Sequence, residues 1–125
     1  AFVAEHVVRH CPLRSLFLSG NSITDEGVAS VAEQMRGNAS VQILELRANR
    51  ITDAGAEVLA DAVVQHSQAL TSLYLSGNRI SDAGAVRLAT ALPPDSRCRI
   101  WLLDNPISAA AKEALQEVVG KRVRC

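Results

Sequence analysis

Apolar positions along this chain follow two periods in turn, and the alternation recurs. Leucines stand two apart at Leu16 and Leu18, Leu44 and Leu46, and Leu73 and Leu75. A period of two puts both members of each pair on one face of an extended strand. Leu13, Val41 and Leu70 lead into these pairs, and Ile23, Ile51 and Ile80 close the turn that follows each. The period then lengthens. Val28, Val31, Ala32 and Met35 fall at i, i+3, i+4 and i+7, as do Ala56, Leu59, Ala60 and Val63, and then Ala85, Leu88, Ala89 and Leu92. That stripe predicts a helix with one buried face. Each unit therefore reads strand, turn, helix and return.

The units repeat in detail. Leu44 to Gly55 (LELRANRITDAG) matches Leu16 to Gly27 (LFLSGNSITDEG) and Leu73 to Gly84 (LYLSGNRISDAG), with a weaker fourth copy over Ile100 to Ser108 (IWLLDNPIS). Asn21, Asn49, Asn78 and Asn105 are 28, 29 and 27 residues apart. A period of that length is the signature of a solenoid, in which one repeat cannot bury its own apolar face and must stack on a neighbour. Successive strands become parallel neighbours on the concave side, with the helices on the convex side. Thr24-Asp25, Thr52-Asp53 and Ser81-Asp82 stand where each helix starts, and their oxygens are expected to cap free backbone N–H groups. Gly27, Gly55 and Gly84 are expected to let the helix approach the sheet closely.

These patterns divide the chain, as one domain spanning 1–125, into regular repeats at 13–40, 41–69 and 70–96. Residues 1–12 read as the end of a helix from a truncated repeat, because Val3 to His10 lines up with Leu59 to His66. The expectation from that alignment is a piece of a longer solenoid, with a native start bearing an unusual N-terminal cap as the alternative. Residues 97–125 read as a C-terminal capping repeat. Arg97 takes the first core position, Ala109 and Ala111 replace the Asp and Gly of the helix start, and Lys112 and Gln116 occupy formerly apolar positions. Lys121-Arg122-Val123-Arg124 completes that cap.

The motif Leu-x-x-Leu-x-Leu-x-x-Asn-x-Ile-x-Asp-x-Gly, followed by an apolar helix, resembles the ribonuclease-inhibitor-type subclass of leucine-rich repeats. The likeness holds at nearly every signature position from Leu13 to Met35, Val41 to Val63 and Leu70 to Leu92, and in part from Ile100 to Val119. The resemblance implies an α/β horseshoe working as a protein-recognition surface. In such repeats the asparagines turn inward and bond the backbone of adjoining turns, which would otherwise be buried unpaired.

Composition narrows the function. With 13 basic and 13 acidic residues, the chain lacks the basic surplus of a nucleic-acid or anionic-membrane binder. No run of about 18 apolar residues could span a bilayer. Three widely spaced cysteines, Cys11, Cys98 and Cys125, suit a reducing compartment, and the expected location is cytoplasmic. His6 and His10 have the spacing of a metal pair, but Val7 stands where a zinc protease carries glutamate and no third ligand is apparent. No catalytic triad, phosphate loop or paired cysteine motif occurs, so no enzyme activity, cofactor or metal is expected.

The residues between the strand leucines face outward on the concave wall: Phe17, Glu45, Tyr74 and Trp101, three of them aromatic. Flanking outward positions are Ser15, Ile43, Ser72 and Arg99 on one side and Ser19, Arg47, Ser76 and Leu103 on the other. Exposed Tyr and Trp are enriched at binding hot spots, although aromatics also suit strands for their own sake. The expected partner-binding set is Ser15, Phe17, Ser19, Glu45, Arg47, Tyr74, Ser76, Arg99 and Trp101. The partner is another protein, alongside any remainder of a longer parent chain. Two other readings stay open. One is a GTPase-activating protein of the Ran-activator type using a rim arginine, Arg50 or Arg79. The other is the ligand-sensing or autoinhibitory arm of a NOD-like receptor. The register itself is testable: Leu46→Ala should lower unfolding free energy by about 2–5 kcal/mol, and an unchanged melting temperature would show the strands are misplaced.

Overall fold

The computed structural model describes residues 14–35, 40–64 and 69–125. The expected helix tail at 1–12, Leu13, the His6/His10 pair and Cys11 lie outside the described residues. Four strands run Ser15–Phe17 (β1), Ile43–Glu45 (β2), Ser72–Tyr74 (β3) and Arg99–Trp101 (β4). Helices follow them at Asp25–Met35 (α1), Asp53–Leu59 (α2), Asp82–Ala91 (α3) and Ala109–Val119 (α4). A fifth strand, Val123–Arg124 (β5), comes after a single 3₁₀ turn at Gly120–Arg122. All five strands are parallel and lie in sequence order. This is the parallel-stranded solenoid the periodicity predicts, of the kind the resemblance implies, with one more strand than expected.

The two periods bury what they should. Leu44, Leu46, Leu73, Leu75, Ile51 and Ile80 are wholly inaccessible to solvent, as are Val28, Leu59 and Leu88. Core and sheet thus meet along one continuous seam. The second unit is a residue longer than the first, and α2 continues there into a π-helical turn at Ala60–Val64. Such a turn holds one more residue per hydrogen bond, so it takes up the excess without displacing the strand that follows. In the fourth unit Arg97 is exposed, as its charge requires. Its core place is filled by the adjacent Cys98 instead, 2% exposed.

The asparagines bind adjoining turns to one another. Asn49 Oδ1 accepts the N–H groups of Asn21 and Ile23, both at 2.9 Å, while its Nδ2 donates to Leu18 O and Leu46 O at 3.0 Å. Asn78 accepts from Ile51 N and donates to Leu46 O and Leu75 O. Asn105 accepts from Ile80 N and donates to Leu75 O and Leu102 O. Asn21 departs from the pattern: it is exposed, and among the described residues its side chain donates only to Ser19 O.

The aspartates overturn an expectation. None of Thr52, Ser81, Asp53 or Asp82 caps the helix of its own repeat with a side-chain bond. Each carboxylate reaches forward instead to the start of the next helix. Asp25 accepts from Thr52 N and Oγ1, and Asp53 from the N–H and hydroxyl of Ser81 and from Gly84 N. Asp82 accepts from Ser108 N and Oγ, and those two bonds hold its carboxyl below the ordinary carboxylate range. Ser108, by contrast, caps its own helix, accepting from Ala111 N at 3.2 Å. The role of the helix glycines changes accordingly. A Cβ on Gly55 would run into Asp25 Oδ1, and one on Gly84 into Asp53 Oδ1, with an isoleucine methyl 2.7 Å away in each case. At Gly55 and Gly84 glycine is needed because the preceding repeat's carboxylate and the repeat's own isoleucine come so near. At Gly27 the near neighbour is the Ile23 methyl at 2.9 Å.

The residue before each asparagine is left-handed in all four units: Gly20, Ala48, Gly77 and Asp104, with φ of 69°, 56°, 72° and 59°. Ala48 carries a Cβ penalty there that Gly77 avoids. Ala48→Gly should therefore stabilise the chain by about 1 kcal/mol and Gly77→Ala should destabilise it by about as much. Chemical denaturation of the two variants checks the pair.

Candidate functional site: the concave wall

Strand register fixes which outward residues become neighbours. Phe17 pairs with Glu45, Glu45 with Tyr74, Tyr74 with Trp101, and Trp101 with Arg124. Ser15, Ile43, Ser72 and Arg99 form a parallel row. Ser19, Arg47, Ser76 and Leu103 continue the wall toward the turns, where the backbone bonds of Gly20, Ala48 and Gly77 keep the strands together.

Parallel strands sit about 4.8 Å apart, close to the separation at which two flat rings stack. Tyr74 and Trp101 do so, with centroids 4.5 Å apart and planes 14° from parallel. The Arg47 guanidinium lies over Tyr74, its carbon 5.2 Å from the ring centre, in cation–π range. Arg47 is itself gripped by Glu45, with Nε 2.9 Å from Oε1 and Nη2 2.8 Å from Oε2. Glu45 Oε1 also accepts Arg47 N at 3.0 Å. The side chains from Glu45 to Trp101 are thus locked in one line.

Not every expected contact residue is available. Glu45, expected to face a partner, is only 3% exposed. Its carboxylate is turned into the wall by the two-pronged bond to Arg47, so it positions that arginine. Phe17 stands apart at 66% exposed, separated from the aromatic pair by the Glu45 strand. Ser19, Arg47 and Arg99 are exposed; Ser15, Tyr74, Ser76 and Trp101 are half-buried. Arg124 was missed. It extends the aromatic row, but its strand is two residues long and gives almost no periodic signal. An open depression of about 440 Å³ lies beside Tyr74 and Trp101, lined also by Arg47, Ser76, Gly77, Leu103 and Asp104.

Burial pushes the Cys98 thiol up to about 12 and also raises that of Cys125. Among the described residues no cluster of potential metal ligands occurs, and no helix is long and apolar enough to cross a membrane.

A family model described as Leucine Rich repeat matches residues 9–32, 37–60 and 66–89, more than half of the chain. The chain belongs to the leucine-rich repeat family. It is 41% identical over 63 residues to human NACHT, LRR and PYD domains-containing protein 13, a match that covers 50% of this chain and 6% of that much longer protein. Among solved structures the leucine-rich repeat chain resembles leiomodin-1 actin-binding site 2, with a TM-score of 0.84 at 17% identity, covering 93% of this chain and 70% of that one. The Caenorhabditis elegans tropomodulin C-terminal domain is also similar, with a TM-score of 0.75 at 13% identity, covering 97% and 92%. At those identities the likeness is one of fold.

The Glu45–Arg47–Tyr74–Trp101 line should respond as a unit. Glu45→Ala should free Arg47 from Tyr74 and alter the environment of Trp101, the chain's single tryptophan. A shift in its emission maximum with retained far-UV circular dichroism is the expected result.

Proposed function

We propose that this chain is a non-enzymatic recognition module, built of ribonuclease-inhibitor-type repeats, that binds another protein on its concave sheet in the cytoplasm. The observation that carries this reading is the ordered Tyr74–Trp101 stack on an open wall, braced by Arg47. Aromatic side chains held rigid before binding lose little conformational freedom on association, which favours affinity. The shallow depression is open rather than enclosed, so it suits a segment of protein better than a small metabolite. Leiomodin-1, whose actin-binding site shares the fold, supports a protein partner in general terms.

A second reading has its own support. The 41% identity to a human protein with NACHT, LRR and PYD domains favours the sensing or autoinhibitory arm of a NOD-like receptor. In that case the sheet faces another part of a longer chain. A nucleotide-binding domain encoded upstream of this segment would decide for it. The GTPase-activating reading rests on position alone, with Arg50 and Arg79 exposed at the rim.

Losing a hot-spot aromatic typically costs 2 kcal/mol or more of affinity, about thirtyfold in dissociation constant. Tyr74→Ala/Trp101→Ala should therefore abolish affinity capture of the partner while circular dichroism stays near that of the parent. Equal capture by both proteins would remove the concave wall from consideration.

A further inference from the structure

Charge on the concave wall is segregated by sign, although the chain as a whole is neutral. The wall's three outward rows, with Arg124 at the end of the middle one, hold three arginines, Arg47, Arg99 and Arg124, and a single carboxylate, Glu45. Glu45 is buried and fully engaged with Arg47, so it presents no negative charge to solvent. Arg99 and Arg124 are exposed, and neither makes an ion pair among the described residues. Both lie beside Trp101. Arg99 is two residues back on the same strand, hence on the same face, and Arg124 is its register partner on β5. Exposed glutamates such as Glu26, Glu33, Glu57 and Glu113 are carried by the helices instead. Besides the engaged Glu45, Asp104 on the turn after β4 lines the depression.

Resting on the concave-recognition reading above, we propose that the partner presents an acidic segment. Its carboxylates bond Arg99 and Arg124, and an apolar residue lies against the Tyr74–Trp101 stack. Arginine suits this role because its planar fork bonds a carboxylate through two parallel N–H groups. The distance from β2 to β5 is three strand spacings, roughly 14 Å. About four residues of extended chain cover that distance, so acidic and apolar side chains of one short segment reach all three features. A nucleic acid fits less well. Arg47 covers one face of Tyr74 and Trp101 the other, the exposed Phe17 lies two strands away from Tyr74, and two unpaired arginines make a short track for phosphates.

Trp101 fluorescence reads the site directly, since no other tryptophan is present. The probe is a synthetic twelve-residue peptide of repeating Glu-Glu-Leu, titrated against the intact chain beside a Lys-Lys-Leu counterpart and a single-stranded twelve-nucleotide DNA. The expected result is a saturable change with the glutamate peptide alone, weakening as salt is added. Arg99→Glu/Arg124→Glu should reduce that affinity at least tenfold, and the milder Arg99→Gln/Arg124→Gln should reduce it less, both with parental circular dichroism. No saturable change with the glutamate peptide overturns the proposal, as does undiminished affinity in both variants or tighter binding of the lysine peptide or the DNA. If Tyr74→Ala/Trp101→Ala abolishes partner capture while Arg99→Glu/Arg124→Glu captures normally, the acidic-segment proposal falls and concave recognition stands. If neither variant affects capture, both fall.

Discussion

The turns of the first three units each depend on an amide side chain supplied by the repeat that follows. The loop between strand and helix folds inward, and its N–H and C=O groups would be buried far from any strand partner. Burying such groups unpaired costs about 1–3 kcal/mol each. Asn49, Asn78 and Asn105 meet the requirement because a carboxamide accepts on one side and donates twice on the other. Each therefore serves backbone on two successive turns. The short strands, only three residues each over β1 to β4, could not hold this spacing alone.

With the spacing fixed, the character of the concave wall follows. Whatever stands between the two core leucines of each unit is brought alongside its counterpart at the distance of an aromatic stack. Tyr74 and Trp101 happen to be flat and pair directly. Phe17 and Tyr74 are kept apart by Glu45, whose strand lies between theirs. Arg47 then joins the polar and aromatic halves of the wall, since it bonds the carboxylate and covers the tyrosine at once.

Periodicity made the strands, the helices and the buried faces readable, because burial of Leu44, Leu73 and Leu88 is dictated by spacing alone. Pairwise contacts between repeats were not readable in the same way. Asp25 and Asp53 stand at helix starts, so capping of their own helices was the natural expectation, and only the stacking distance reveals the forward reach. Glu45 looked outward by alternation. Its burial depends on an arginine two residues along, which alternation cannot weigh against solvent. Cys98 replaced Arg97 in the core because a one-position shift ahead of β4 leaves no trace in a motif already weakened there.

The seam between neighbours is the same each time it occurs. At every joint an asparagine reaches back and an aspartate reaches forward, so two units interlock from both sides. A joint built from one unvarying pair of side chains is indifferent to which unit stands on either side of it. One of the three regular repeats, which carry both side chains, can then be duplicated or deleted at a seam and the lock re-forms. The last unit, with Ala109 in place of the aspartate, cannot stand ahead of another, and cutting within a repeat strands both halves of the lock. The wall can thus be lengthened or rearranged by trading entire units, with each newcomer placing its own outward side chain in a row already spaced to receive it.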